Sequence, residues 1–285
     1  MESISNILKK SKPPTFEREM KEDEYLHDGM FFCKSCKTPR QTLIDFEDGR
    51  GERLFPQHCE CQRIEYERQE EEENRRKHDE AIFRLRCRAI PNPAYRQCTF
   101  AADDNKTPRT TQICKEYVAK FDKFSAFGGG LIFWGSVGTG KTFFAMCIAN
   151  ALVDSGLNVY CTSLSEVVKM AQDFDNADRH FSMLMSKKMI VVDDLGAERG
   201  TEFATEKIYE FIDGCNTHSV PLIFTTNYSP DILQKACEDT TDLTYARIYS
   251  RILEKCTPIA VLDIKRRKNN AEANYSLAAE LLGLK

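Results

Sequence analysis

The stretch Gly135-Ser136-Val137-Gly138-Thr139-Gly140-Lys141-Thr142 constrains this chain more than any other. It follows the spacing G-x-x-x-x-G-K-[ST], in which glycines let successive backbone N–H groups turn inward around a polyphosphate that a Cβ would obstruct. Lys141 supplies a point charge for the β and γ phosphates of ATP, and the Thr142 hydroxyl a ligand for Mg2+. A chance glycine-rich turn would lack the flanks seen here. Leu131-Ile132-Phe133-Trp134 predicts a buried strand entering the loop, and Phe143 to Leu152 predicts a helix leaving it, with its N-terminal dipole aimed at the phosphates.

Further along, Met189-Ile190-Val191-Val192-Asp193-Asp194 predicts a second buried strand that ends in two carboxylates. Phosphoryl transfer is mostly positioning and charge stabilisation, so one group must hold the magnesium shell and another must orient or deprotonate the attacking water. Asp193 is assigned to the metal and Asp194 to the water. A third strand, Leu222 to Thr226, delivers Asn227, a neutral polar group suited to sensing the γ-phosphate or holding the water. Any one of these strand ends could be an ordinary surface turn. Together they predict an α/β fold whose parallel sheet, flanked by helices, carries its chemistry at the carboxyl ends of the strands.

With 285 residues and 41% hydrophobic content, the chain can bury a substantial core. Residues 1–14 lack an apolar signal core, and the longest apolar run, the helix after the loop, is too short to span a bilayer; no membrane association and a cytoplasmic location are expected. A net charge of −4 means that any contact with nucleic acid must come from a local basic face.

Of the 12 cysteines, eight are scattered through apolar segments and read as reduced thiols. The other four are grouped as Cys33-Lys34-Ser35-Cys36 and, after 22 intervening residues, Cys59-Glu60-Cys61. A C-x-x-C knuckle offers two thiolates to one tetrahedral Zn2+, and a second close pair completes the shell. Because that second pair is C-x-C, His58 is a possible substitute for one thiolate. Thr42-Leu43-Ile44 and the turn from Glu47 to Gly51 would form the small antiparallel strands of a zinc ribbon. After Cys61 the chain is almost wholly charged, acidic residues leading and basic ones following, which predicts a solvated helix with i,i+4 pairs such as Glu71 to Arg75 and Glu72 to Arg76. Its apolar continuation, Ile82, Leu85 and Ala89, would dock on the following domain before Pro91 and Pro93 end it. The expected organisation is therefore a zinc-binding domain at 1–65, a charged helical linker at 66–92 and an ATPase domain at 93–285.

On these motifs the chain resembles the AAA+ ATPases of the DnaC/DnaI type, bacterial and phage loaders of the replicative helicase. The resemblance rests on Trp134 to Thr142, on Asp193-Asp194-Leu195-Gly196-Ala197-Glu198 and on Thr225-Thr226-Asn227, and extends to Arg247-Ile248-Tyr249-Ser250-Arg251-Ile252-Leu253-Glu254 and Lys265-Arg266-Arg267. It implies that Arg251 is a finger reaching ATP on a neighbouring protomer and that Arg267 touches the γ-phosphate in cis, roles suited to a permanently charged fork. Arg247 and Arg251, spaced i,i+4, could equally form one solvated helix face. Aspartate at 194, where many AAA+ proteins carry glutamate, points to slow, switch-like hydrolysis of ATP to ADP and phosphate. Few residues follow Arg251, and Thr257 to Ile264 predicts another strand, which leaves little or no room for a helical lid.

The same resemblance implies single-stranded DNA as a ligand, the hexameric replicative helicase as partner of the N-terminal domain, and head-to-tail assembly into a ring or spiral. The family's extra helical element would fall at residues 162–188, where Thr162, Ser163, Lys169, Phe174, Arg179, His180, Phe181, Lys187 and Lys188 offer phosphate contacts and stacking faces. Val167, Val168, Met170, Met183, Leu184 and Met185 at helical spacing speak instead for core. Alternative readings are an IstB-type ATPase assisting transposition, a zinc-containing DNA-binding protein with a structural nucleotide site, and an unfoldase adaptor. The last is disfavoured because no aromatic pore-loop pattern follows the phosphate loop.

Overall fold

The computed structural model describes residues 19–46, 51–196, 200–238, 243–261, 274–276, 278–282 and 284, and divides after Glu80 into two compact units.

The first unit is built from two hairpins. Strands β1 (Glu24–His27) and β2 (Met30–Cys33) pair antiparallel around Asp28-Gly29, both at positive φ, the conformation that suits a tight two-residue turn. Strands β3 (Gln41–Phe46) and β4 (Gly51–Pro56) form the second hairpin, as the ribbon reading expects; residues 47–50 of its turn lie outside the described residues. Each hairpin ends at a cysteine pair: Cys33 closes β2, and Cys59 follows β4 by a short step. Among its described apolar side chains only Cys33, Leu54 and Cys59 are buried, so this unit has almost no hydrophobic core.

Helix α1 (Glu60–Ala89) is exposed from residue 63 to 81, as its charge pattern demands. Its pairs differ from those expected. Arg68 bonds Glu65 at 2.8 Å and Glu72 at 3.1 Å, so Glu72 turns back to Arg68, and Lys77 meets Glu73 at 3.0 Å. Such exposed pairs contribute little stability. Near its end Leu85 and Ala89 pack into a hydrophobic cluster, and the helix stops before Pro91.

In the second unit, two 3₁₀ turns (Pro93–Gln97 and Phe100–Ala102) and helices α2 (Pro108–Ala119) and α3 (Phe121–Ser125) precede the sheet. There follow β5 (Gly130–Trp134), α4 (Lys141–Asp154), β6 (Val159–Ser163), α5 (Leu164–Gln172), α6 (Ala177–Met185) and β7 (Met189–Leu195). The chain continues with α7 (Glu202–Thr217), β8 (Leu222–Thr226), α8 (Pro230–Glu238), α9 (Leu243–Lys255) and β9 (Cys256–Ala260). The five strands run parallel in the order β6-β7-β8-β5-β9. Their side chains alternate between two cores, because successive residues of a strand face opposite sides. Leu131, Phe133, Val191 and Ile223 enter one with α2 and α4, while Ile132, Ile190, Val192, Leu222 and Phe224 enter the other with α5 to α9.

In the segment at 162–188 the apolar residues at helical spacing turn to the core, while most of the others are exposed or half-buried. Val167 and Leu184 are buried, Val168, Met170, Met183 and Met185 pack beside them, and the Phe181 ring lies over Gly214. Phe174 is 79% exposed and meets the Phe203 ring edge-on at 6.5 Å. Lys169 is paired with Glu166, His180 with Asp173, and Lys187 lies over the Tyr160 ring. No helix among the described residues is long and apolar enough to cross a membrane.

At Gly130 a Cβ would come within 1.9 Å of the Leu222 carbonyl oxygen and 2.8 Å of Cys256 Sγ, at the pairing of β5 with both neighbours. Gly130→Ala should therefore lower stability by about 3 kcal/mol, the upper part of the usual overpacking range, read as a lower midpoint in urea unfolding.

Candidate nucleotide site and metal centre

Residues 135–140 lie between β5 and α4, and Lys141 and Thr142 open the helix. Gly135, Gly138 and Gly140 all have positive φ, and Gly140 caps the helix in the left-handed region. At Gly135 the turn is tight enough that a Cβ would sit 2.4 Å from the Val261 carbonyl oxygen. Thr139 is fully buried and donates to the Ser136 carbonyl at 3.0 Å, bracing the loop from inside, while Ser136 and Val137 are exposed. Lys141 is 7% exposed; its Nζ donates to the carbonyls of Gly135 (3.0 Å) and Ser136 (2.9 Å) and to Asn227 Oδ1 (2.8 Å). Asn227, at the end of β8, is thus held against the loop lysine across 86 residues of sequence.

The two carboxylates stand at the end of β7, beside that loop. Thr142 Oγ1 donates to Asp193 Oδ1 at 2.9 Å, Thr225 Oγ1 donates to the same oxygen at 2.5 Å, and the Tyr95 hydroxyl donates to Asp193 Oδ2 at 3.3 Å. Asp194 is exposed and left-handed at φ 60°, a conformation that aspartate tolerates better than most residues. Here β7 and β8 shift register between Val192 and Leu195. Hydroxyl, carboxylate and ammonium groups converge where a backbone cradle opens, a donor set that fits a nucleotide polyphosphate and Mg2+. Lys141 and the loop N–H groups would hold the phosphates; Thr142 and Asp193 would hold the metal, which supplies charge neutralisation at the transferring phosphoryl group.

Arg251 is not brought to the loop of its own chain by any contact among the described residues. It lies on α9 with its guanidinium 2.9 Å from Asp213 Oδ1 of α7. A hydrogen bond with Tyr209 and then the Asp213 charge raise its already high pKa, so it is a permanent cation. Arg267, Ala197 and Glu198 lie outside the described residues. The sequence does not mark Tyr95 or Thr225 as touching the acids. The Thr225-Thr226-Asn227 motif carries a trace of the second; nothing local marks the first, which reaches Asp193 from a 3₁₀ turn 98 residues away.

In the first unit the sulfurs of Cys33, Cys36, Cys59 and Cys61 lie within 4.8 Å of one another, the only such His, Cys, Asp or Glu group found among the described residues. His58 is not part of it; its ring lies 6.1 Å from that of Tyr66. The Thr38 hydroxyl, 3.0 Å away, holds the Cys36 thiol down to about 5, whereas its sulfur neighbours push Cys61 up to about 12. Four thiolates at this spacing repel one another, and a divalent cation shared by all four removes that repulsion, so the set fits a closed tetrahedral zinc site. Arg40, 5% exposed, supports the cluster: it donates to Cys33 Sγ at 3.5 Å and to Asp23 at 2.6 Å, and lies 3.3 Å from buried Glu24. Burial opposes its charge, but these bonds outweigh burial and raise its pKa. Its main chain takes part too, with Arg40 N bonded to the Phe31 carbonyl and its own carbonyl accepting from Gln57 N–H.

A parallel sheet with a phosphate loop after its β5 strand, acids ending β7 and an asparagine ending β8 defines an AAA+ P-loop nucleotide-binding protein. The chain belongs to the IstB-like ATP binding protein family, whose model matches residues 111–273, more than half of its length. It is 27% identical over 149 residues to the replicative helicase loader DnaI of Bacillus subtilis (strain 168), which covers 49% of this chain and 48% of that protein. The chain thus spans about half the length of that relative. It is also 22% identical over 175 residues to the uncharacterized protein YdaV of Escherichia coli (strain K12), covering 59% of this chain and 71% of that one. Among solved structures, the crystal structure of the DnaC helicase loader has a similar fold at a TM-score of 0.52 and 22% identity, covering 60% of this chain and all of that chain. That of DnaI gives 0.51 and 20%, covering 61% and 93%.

Because the binding energy of a closed thiolate site is folding energy, the purified full chain should carry about one zinc, and Cys33→Ser/Cys36→Ser should carry none and lose the structure of its first unit. Metal analysis with circular dichroism checks both; zinc content unchanged in the double variant would remove the site.

Proposed function

We propose that this protein is an ATP-dependent loader of the replicative DNA helicase, a slow ATPase that binds single-stranded DNA and the helicase during initiation of replication. The observation that carries this reading is the 27% identity over 149 residues to the loader DnaI. In this reading the loop and Lys141 bind the triphosphate, Thr142 and Asp193 hold Mg2+, Asp194 orients the water and Asn227 senses the γ-phosphate. Arg251 completes the site of a neighbouring protomer in a head-to-tail ring or spiral, exchanging Asp213 for phosphate oxygens as negative charge builds there. Arg267 contacts the γ-phosphate in cis. The cysteine-bearing segment, residues 1–65, carries the contact with the helicase through its zinc-held hairpins.

A second reading, prompted by the match to the IstB-like ATP binding protein family, is an ATPase that assists DNA transposition. It predicts preference for duplex DNA, whereas the loader reading predicts preference for single strands.

Lys141→Ala should abolish ATP binding, whereas Arg251→Ala should bind ATP like the parent and lose turnover. A trans-acting finger is worth up to about 10³ or more in rate in well-studied NTPases, and a slow switch will show less. Mixing the two variants should restore part of the activity, because one composite site then has both an intact loop and an intact arginine. Parental turnover by Arg251→Ala alone would remove the finger assignment.

ATP or a non-hydrolysable analogue should strengthen binding to labelled single-stranded over duplex oligonucleotides, measured by fluorescence anisotropy, and the affinity should fall steeply with salt. A chain beginning at residue 66 should retain this binding and fail to retain the helicase in co-purification. Equal affinity for both DNA forms, without a nucleotide effect, would turn the reading to the transposition ATPase.

A further inference from the structure

One buried hydroxyl sits between the two acids. Thr225, fully buried on β8, donates through Oγ1 to Asp193 Oδ1 at 2.5 Å, and the same oxygen accepts the Asp194 backbone N–H at 3.0 Å. A threonine hydroxyl has one proton and two lone pairs, so a single group can serve both neighbours at once. The sheet register explains why it does so. Val192 lies opposite Phe224 and Leu195 opposite Thr226, so Asp193 and Asp194 together face the one residue Thr225. That is a β-bulge, an arrangement that leaves an extra residue without a regular ladder partner and re-aims its side chain. In a regular strand Asp193 and Asp194 would point to opposite faces. Here Asp194 takes φ 60° instead, and its N–H, lost to the ladder, finds the Thr225 oxygen.

We propose that Thr225 is a positioning residue that sets the Asp193 carboxylate and the Asp194 backbone through one hydroxyl, and so couples the metal-holding acid to the water-orienting one. The inference rests on the ATPase reading of this site and deepens it. Thr225 is fully buried and acts through the two acids it bonds. Its proton goes to Asp193 and a lone pair of the same oxygen accepts the Asp194 N–H, so the bulge geometry and the carboxylate orientation are tied to one group. With Thr142 donating to the same Asp193 oxygen at 2.9 Å, the chain of contacts runs from the phosphate loop through Asp193 and Thr225 to Asp194. Since Thr225 is two residues from Asn227, a shift of β8 at its carboxyl end moves the asparagine and the hydroxyl together.

The test compares the full chain with Thr225→Val, which keeps the shape and removes the hydroxyl, Thr225→Ala and Thr225→Ser. Steady-state kcat is measured with single-stranded DNA present, and nucleotide Kd with a fluorescent ATP analogue. Loss of such an outer contact typically lowers activity about 10–100-fold. Thr225→Val should therefore lose about that much in kcat while its Kd stays within about threefold of the parent, and Thr225→Ser should recover most of the rate. If the valine variant does not fold, by its thermal transition, Thr225→Ala carries the same expectation. Parental kcat in the hydroxyl-free variants overturns the proposal, as does a serine variant as slow as valine, or a loss that appears wholly in Kd. A parent that binds ATP and never turns it over overturns the hydrolysis reading first and this one with it, an outcome distinct from an active parent whose Thr225 variants are equally active.

Discussion

The nucleotide site depends on how tightly the chain can turn at the end of β5. Val261 N–H bonds the Trp134 carbonyl at 2.8 Å, and its own carbonyl oxygen occupies the space a side chain at Gly135 would need. The loop can begin there only because residue 135 has no Cβ and takes a φ of 148°. Once it begins there, everything else is set by neighbours in the sheet. β8 lies beside β5 and brings Asn227 to Lys141; β7 lies beside β8 and brings Asp193 to Thr142. Three strands distant in sequence end at one edge because parallel pairing aligns their carboxyl ends.

The first unit is organised by different physics. With hardly any buried apolar side chains, hydrophobic burial cannot hold two hairpins together, and small domains in that position need a metal or a covalent tie. The four sulfurs offer a site for the former, with Arg40 as their polar support: one residue touches Cys33, Asp23 and Glu24 by its side chain and joins both hairpins by its backbone. Removing the guanidinium would take from Glu24, which is 1% exposed, a cation that lies 3.3 Å away.

Arg251 shows how a residue can be recognisable in type and still acquire its surroundings from the fold. A permanently charged fork on an exposed helix face must find an anion, and within the chain that anion is Asp213, with Tyr209 beside it. An anionic oxygen on a neighbouring molecule would compete for the same donors, so the contact that holds the arginine still is also the one that any partner must displace.

The sequence by itself determined the elements. The phosphate-loop spacing, the buried strands ending in Asp193-Asp194 and Asn227, the charged helix after Cys61 and the pairing of four cysteines are all local patterns, governed by periodicity, turn chemistry and ligand spacing. It also separated core from surface at Val167, Val168, Met170 and Leu184 in α5 and α6, because helical spacing of apolar residues reports burial. Only the tertiary structure decided the contacts made across long separations. Tyr95 reaching Asp193, Asp213 holding Arg251, His58 lying apart from the sulfurs, Arg40 gathering the hairpins and Thr225 filling the bulge between two acids all depend on which strands and helices become neighbours. Strand order and register are set by how whole faces pack, and no short window of sequence contains that information.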